Sequence, residues 1–402
     1  MNDSVERALW QALETVRDPE ILRPITELGM VTGVSADPAG SARVQIALTI
    51  AACPAARRIE ADVLAAAQGA PGVTSAEVEV RVMTPEERQA FTRRVRGDRA
   101  ERPPQFGEGS LTRVIAVTSG KGGVGKSSIT ANLAAALAAR GLSVGLLDAD
   151  VFGFSIPALL GLSRDGRTEQ PSRVDDLILP PVAHGVRVIS IGMFLGDADP
   201  RQTAVSWRGP MLHRTIEQFL TDVWWGDLDV LLLDLPPGTG DIALSIGQLL
   251  PRAEVLVVTT PQTAAADVAV RSALVARQTG QRVIGVIENM AGLVQPDGTV
   301  LDVFGSGGGA LVAERLSASE DADGSAEPAE PTVSGGDADA PRVPLLGSVP
   351  LSPRFRAEGD AGTPAVLSSP EDPAAQELAR IAELLASRGR GLAGRRLGVS
   401  PS

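Results

Sequence analysis

Apolar residues recur at Val5, Leu9, Leu13 and Val16, the spacing of one helical face, and Asp18-Pro19 ends that run. Val44-Gln45-Ile46-Ala47-Leu48-Thr49 then alternates as a half-buried strand does, a helical stretch runs from about Pro54 to Gln68, and Val73 to Val82 alternates again. The pattern predicts a small α+β unit over residues 1–95, in the order helix, strand, strand, helix, strand. From Arg93 to Ser110 the stretch RRVRGDRAERPPQFGEGS is charged, aperiodic and carries adjacent prolines, the mark of a solvated tether, so a linker is expected over 96–111.

Beyond Thr112 the pattern changes. Val114–Thr118, Ser143–Leu147, Val186–Ile191, Val230–Leu235, Val255–Thr259 and Arg282–Ile287 are short apolar, β-branched runs with helical stretches between most of them. That alternation predicts an α/β domain over 112–390, a doubly wound, mostly parallel sheet covered on both faces. The acidic, low-complexity stretch SASEDADGSAEPAEPTVSGGDADA at 317–340 reads as a disordered insertion. The chain resumes with a last strand near Val343–Gly347 and a helix near Ala374–Ser387, and 391–402 read as a flexible tail.

Composition narrows the classes. The 402 residues are enough for two to three domains, and 44% hydrophobic with 21% charged residues excludes wholesale disorder. Acids stand in the first 20 residues where a secretion signal needs a basic then apolar run, and no apolar stretch reaches the ~18–20 residues of a membrane span, so a cytoplasmic protein without stable membrane association is expected. A formal charge of −12 opposes a grip on nucleic acid. The single cysteine, Cys53, excludes an intramolecular disulfide and a four-cysteine site within one chain.

The chemistry is concentrated after the first strand of the large domain. Residues 120–127 read Gly-Lys-Gly-Gly-Val-Gly-Lys-Ser between that strand and the helical stretch Ser128–Ala139, a P-loop in its confirming context. Gly120, Gly122, Gly123 and Gly125 let the backbone curl so that N–H groups, including those of Lys121, Val124 and Ser128, face phosphate oxygens at a helix N-terminus. Lys126 is expected at the β- and γ-phosphates of ATP and the Ser127 hydroxyl on Mg²⁺. Two carboxylate motifs follow later strands, Asp148-Ala149-Asp150 and Asp234-Leu235-Pro236-Pro237-Gly238-Thr239-Gly240-Asp241. Both stand at carboxyl ends of strands, where such sheets place their sites. Asp234 suits the Mg²⁺ ion, and Asp150 suits orienting or deprotonating the attacking water. His184 and His213 have no second histidine at metal spacing, and Trp207, Trp224 and Trp225 read as core or dimer-contact residues.

With these residues in view, the chain resembles the Mrp/ApbC family of iron–sulfur cluster carriers, P-loop ATPases of the MinD/ParA superfamily. The matching stretches are SGKGGVGKSS at 119–128, DADVFGFSIP at 148–157, WRGPML at 207–212, DVWWGDLDVLLLDLPPGTGDIALS at 222–245, VVTTPQ at 257–262 and VIENMAGLV at 286–294. The N-terminal unit is similar to the iron–sulfur-assembly domain fused ahead of such ATPases, with DPE at 18–20, PITELGMV at 24–31 and Cys53-Pro54. The resemblance implies an ATP-hydrolysing homodimer that passes clusters to apoproteins alongside assembly proteins, with Lys121 crossing to the partner's nucleotide and Asn289 near the adenine.

In that family a Cys-x-x-Cys pair follows Glu-Asn-Met, and two pairs hold one [4Fe–4S] cluster across the dimer. After Glu288-Asn289-Met290 this chain has Gln295 and Gly298 at the aligned positions, which excludes a four-cysteine bridge there. Cys53 is either a small buried hydrophobe or, between a strand and a helix N-terminus, a ligand or exchange site. Two other functions stay open: an ATP-switched scaffold without its own cluster, and a spatial organiser of the MinD or ParA kind, although glycines interrupt the basic C-terminal run RGRGLAGRRLGVSPS.

Overall fold

The computed structural model describes residues 2–50, 55–96, 105–107, 109–151, 153–194, 209–295, 297–323 and 343–387. The chain divides into two compact units.

The first unit opens with helix α1 (Asn2–Leu13), strands β1 (Val31–Ala36) and β2 (Ser41–Leu48), helix α2 (Ala56–Gln68), strand β3 (Ser75–Val82) and helix α3 (Pro85–Arg96). β2 lies centrally, antiparallel to β1 and parallel to β3. Alternation in β2 buries Val44, Ile46 and Leu48 against Leu9 and Leu13 of α1 and Ile59 and Val63 of α2 in one core. The expected order of elements holds, with α3 added. The tether expected from Arg93 is corrected here: Phe91 and Val95 are buried on one side of α3, while Arg93, Arg94 and Arg96 stand in its last turn, where cations suit the helix dipole.

This unit also takes two pieces of chain from far along the sequence, Pro171–Val182 and Thr221–Gly226, so the single boundary expected at 96–111 does not describe the compact units. A hairpin of Ser172–Val174 and Leu177–Leu179 contributes Val174, Leu177 and Leu179 to the same core as α3, and Trp224 joins them. Polar contacts fix these pieces: Ser172 Oγ donates to Glu20 at 2.6 Å, and Trp224 Nε1 donates to the Val95 carbonyl at 3.3 Å. Asp18, beside Glu20, accepts the backbone N–H groups of Glu20 and Ile21, and its burial raises its pKa.

The second unit is a doubly wound α/β sheet. Its elements are β4 (Arg113–Ser119), α4 (Lys126–Ala139), β5 (Val144–Asp148), β6 (Val186–Ser190), α5 (Gly209–Thr221), β7 (Val230–Asp234), α6 (Asp241–Leu249), β8 (Glu254–Thr259), α7 (Thr263–Gln278), β9 (Arg282–Val294), β10 (Val300–Leu301), α8 (Gly308–Asp323), β11 (Leu345–Leu351) and α9 (Pro373–Ser387). The parallel strands run in the order β6-β5-β7-β4-β8-β9, β11 joins β9 in parallel, and β10 folds back antiparallel on the end of β9. α4 is buried on all sides, because its run of alanines admits close packing against the sheet and α9. Ser317–Asp323, expected within the disordered insertion, instead continue helix α8, while 324–340 and the tail at 391–402 lie outside the described residues.

Candidate nucleotide-binding site

Strand register brings the acids together. β7 lies between β5 and β4, and pairing sets Asp234 opposite Asp148 on one side and Val117 on the other, while Ser190 of β6 stands opposite Asp148. All lie at the carboxyl ends of the strands, where β4 turns into the P-loop.

The loop is built by glycine. Gly123 and Gly125 both take φ of +79°, a conformation that costs other residues strain. A side chain on Gly120 would meet the backbone of Ala269 at 2.3 Å, and one on Gly125 would meet Asn289 Nδ2 at 2.2 Å, whereas the space around Gly123 is open. The loop is thus packed from below and clear above, where it borders a cleft of about 630 Å³ together with Ser128, Asp150, Pro237 and Asp241. That volume suits a nucleotide-sized ligand.

Asp234 is the hub. It has no solvent exposure and accepts from Lys126 Nζ at 2.7 Å and Ser127 Oγ at 2.6 Å through Oδ2, and from Thr130 Oγ1 at 2.9 Å through Oδ1. Lys126 Nζ also lies 4.0 Å from Asp150, whose other oxygen accepts the Gly153 N–H. Asp148 accepts from Ser190 Oγ at 3.0 Å and from the Asp150 N–H at 3.1 Å. Burial, reinforced by repulsion from Asp234, pushes its pKa up to about 8.

The expected site residues therefore converge, with three qualifications. Lys121 has a different partner from the other loop lysine and donates to Gln262 Oε1 at 2.8 Å. Asn289 is buried beneath the loop and donates Nδ2 to the Val124 carbonyl at 2.8 Å, so it is seen supporting the loop. Cys53 lies outside the described residues, as does Trp207. Thr130, Asp148, Ser190 and Gln262 are site residues to which sequence reasoning gave no role. Asp148 had a signal in the Asp-x-Asp motif, whereas Thr130 reads only as one more position in a helix.

Two implied groups can be tested against these donors. A hydroxyl and a carboxylate in contact, Ser127 and Asp234, are hard oxygen donors that fit Mg²⁺, beside an open glycine cradle that fits phosphate. An iron–sulfur cluster does not fit the aligned positions. Gln295 and Gly298 sit in the turn between β9 and β10, where the Gly298 N–H donates to the Gln295 carbonyl, and neither side chain is a thiolate. Among the described residues no three histidine, cysteine or acidic side chains gather as a metal cage, and no helix is long and apolar enough to cross a membrane.

The profile of the NUBPL iron-transfer P-loop NTPases matches residues 110–386. The chain belongs to this family. An iron–sulfur cluster assembly protein profile matches residues 6–80, so both parts of this NUBPL-type chain have counterparts. The iron–sulfur cluster carrier protein of Mycobacterium tuberculosis is 53% identical over 396 residues, covering 98% of this chain and 97% of the relative. The protein of the same description from Deinococcus radiodurans is 40% identical over 390 residues, covering 96% and 95%. Among solved structures, a nucleotide-binding protein from Archaeoglobus fulgidus in complex with ADP shares 32% identity, covers 62% of this chain and 86% of its own, and superposes with a TM-score of 0.47.

Proposed function

We propose that this protein is a cytoplasmic, Mg²⁺-dependent ATPase that works as a homodimer in carrying iron–sulfur clusters to apoproteins. The observation that carries the ATPase reading is the meeting of Lys126, Ser127 and Asp234 at one buried point beside an open P-loop. The cluster reading is supported by relatives described as cluster carriers over nearly the full chain.

The chemistry is phosphoryl transfer to water, which asks the protein for positioning and charge neutralisation. Backbone N–H groups of the loop and Lys126 face the charge that develops on the γ-phosphate. In the structure Lys126 is engaged by Asp234, so nucleotide must draw the ammonium from a carboxylate to a phosphate, which makes the acid pair a natural sensor of occupancy. Mg²⁺, when bound by Ser127 and Asp234, supplies further charge neutralisation. Asp150, at the cleft wall, is assigned the attacking water, and Lys121 a contact with the partner's nucleotide. The adenine contact implied for Asn289 is left to its Oδ1 and its second Nδ2 hydrogen, because one Nδ2 hydrogen serves the Val124 carbonyl.

A second reading, an ATP-switched scaffold that holds no cluster of its own, is favoured by Gln295 and Gly298. Anaerobic reconstitution with iron and sulfide separates the two, with iron, sulfide and visible absorption measured per dimer beside ATP turnover. A carrier is expected to hold a stoichiometric cluster that is lost in Cys53→Ala. No cluster with intact turnover assigns the scaffold.

A further inference from the structure

Of the two lysines in the loop, Lys126 is engaged by Asp234 and Lys121 by a different part of the fold. The Lys121 ammonium donates to Gln262 Oε1 at 2.8 Å, joining positions 141 residues apart, and among the described residues Lys121 makes no ion pair. Gln262 occupies the N-cap position of α7 with extended backbone, φ −66° and ψ 127°. A cap residue commonly turns its side-chain oxygen onto the helix N–H groups, yet the Gln262 side chain makes no such bond. Its oxygen is given to Lys121 instead. The loop backbone at this point is held separately, by Ser119 Oγ donating to the Lys121 carbonyl at 3.1 Å, so the ammonium can leave Gln262 without the loop unfolding.

We propose that Gln262 is a positioning residue that holds Lys121 within its own subunit and thereby sets how readily two ATP-loaded copies close on one another. The inference rests on the reading above in which Lys121 reaches the partner's nucleotide. A lysine committed to Gln262 must be released before it can cross, so the strength of this contact opposes dimer closure. An amide suits such a releasable hold, because it is a neutral acceptor and both side chains reach solvent, which keeps the bond weak and reversible, whereas a carboxylate would bind the ammonium more tightly. One such exposed bond changes an equilibrium by about twofold to fivefold. A symmetric dimer breaks two, so the closure constant changes by the square, roughly 4- to 25-fold.

The test uses the full chain with saturating Mg²⁺ and ATP, following turnover per chain against protein concentration and the dimer fraction by sedimentation. The variants are Gln262→Ala, Gln262→Glu, Lys121→Ala and the Lys121→Ala/Gln262→Ala pair. Gln262→Ala is expected to lower the concentration at half-maximal turnover by about 4- to 25-fold, and Gln262→Glu to raise it by at least as much. Structural damage would move both in the same direction, so opposite shifts are specific to the hold on Lys121. In the double variant Gln262→Ala should add nothing to Lys121→Ala. If Lys121→Ala loses dimer-dependent turnover while both Gln262 variants match the wild type, or shift alike, the proposed hold is overturned and the dimer reading stands. If Lys121→Ala keeps the concentration dependence of the wild type, the dimer reading fails and the proposed hold with it.

Discussion

The nucleotide cleft and the turn at Gln295–Gly298 both stand at the ends of strands in one sheet, yet they are built by opposite means. In the cleft the side chains hold one another. Asp234 is wholly buried and accepts from Lys126, Ser127 and Thr130, while Asp148 accepts from Ser190 and the Asp150 N–H. At the turn the backbone holds itself. The Gln295 N–H donates to the Thr299 carbonyl at 2.8 Å, Asp297 accepts from both the Thr299 N–H and its hydroxyl, and Val300 and Leu301 beside it are more than half exposed. Removing one member of a buried polar set leaves its partners unsatisfied, whereas changing the side chain at Gln295 leaves the backbone bonds of this turn intact. Thiolates can therefore be absent from this turn without disturbing the sheet, and the buried polar set of the cleft cannot be thinned in the same way.

The contrast between cleft and turn is at its most exposed at Lys126. Lys126→Ala removes the cation that faces the developing charge, and a fall of about 10²- to 10³-fold in ATP turnover is expected. Gln295→Ala should change turnover by less than about twofold, as surface substitutions away from a buried network do. Steady-state phosphate release measures both. Turnover in Lys126→Ala within about tenfold of the wild type would show that the cleft tolerates loss as the turn does.

Thr130 gives the contrast a finer test, because its hydroxyl touches no expected ligand and stands between Asp234 Oδ1, at 2.9 Å, and the Lys126 carbonyl, at 2.8 Å. Thr130→Val keeps the shape of the side chain and deletes the donor to Oδ1. Partners of this kind orient a metal ligand, so the Mg²⁺ concentration for half-maximal turnover is expected to rise about 10- to 100-fold. The fold should lose about 1–3 kcal/mol by denaturant titration. Thr130→Ser restores the hydroxyl and should recover both. Unchanged Mg²⁺ dependence in Thr130→Val would mean that Asp234 is held well enough by Lys126 and Ser127 alone.

These residues also show what a chain discloses before it is folded. Gly120 to Ser127 is legible because chemistry and local conformation demand the same residues at the same spacing, and Asp150 and Asp234 because each follows or closes an apolar strand. Thr130 and Gln262 are illegible because their partners lie 104 and 141 residues away, and only the strand order brings them near. The same reason hides the hairpin at Ser172–Leu179, whose apolar residues serve a core begun by Leu9 and Leu13. Helix α3 is masked differently: its arginines give it the composition of a tether, and two buried residues, Phe91 and Val95, are too few to show a period.

The mildest change tests why the buried half of the contrast is stable with two acids side by side. Asp148 and Asp234 are register partners without solvent exposure, and Asp234 is paired with Lys126, so Asp148 is the member left to carry a proton. Its pKa, raised to about 8 by burial and by Asp234, stands above the ordinary 3.8. An acid raised in the native state contributes stability that is complete below its unfolded pKa and is lost as pH rises through the native one. Asparagine does not titrate, so Asp148→Asn removes this dependence and replaces it with a constant offset from its altered bonds to Ser190 and Asp150. In protein free of nucleotide and Mg²⁺, the Tm of the wild type is therefore expected to fall relative to Asp148→Asn as pH is raised from about 4 to about 8, and to run parallel above that. Thermal unfolding of the two proteins across this range measures the difference. Curves parallel throughout would mean that Asp148 has the same pKa folded and unfolded and is ionised over most of this range, so that two adjacent buried carboxylates share Lys126, and Lys126→Ala should then cost the fold more stability than any other change in the cleft.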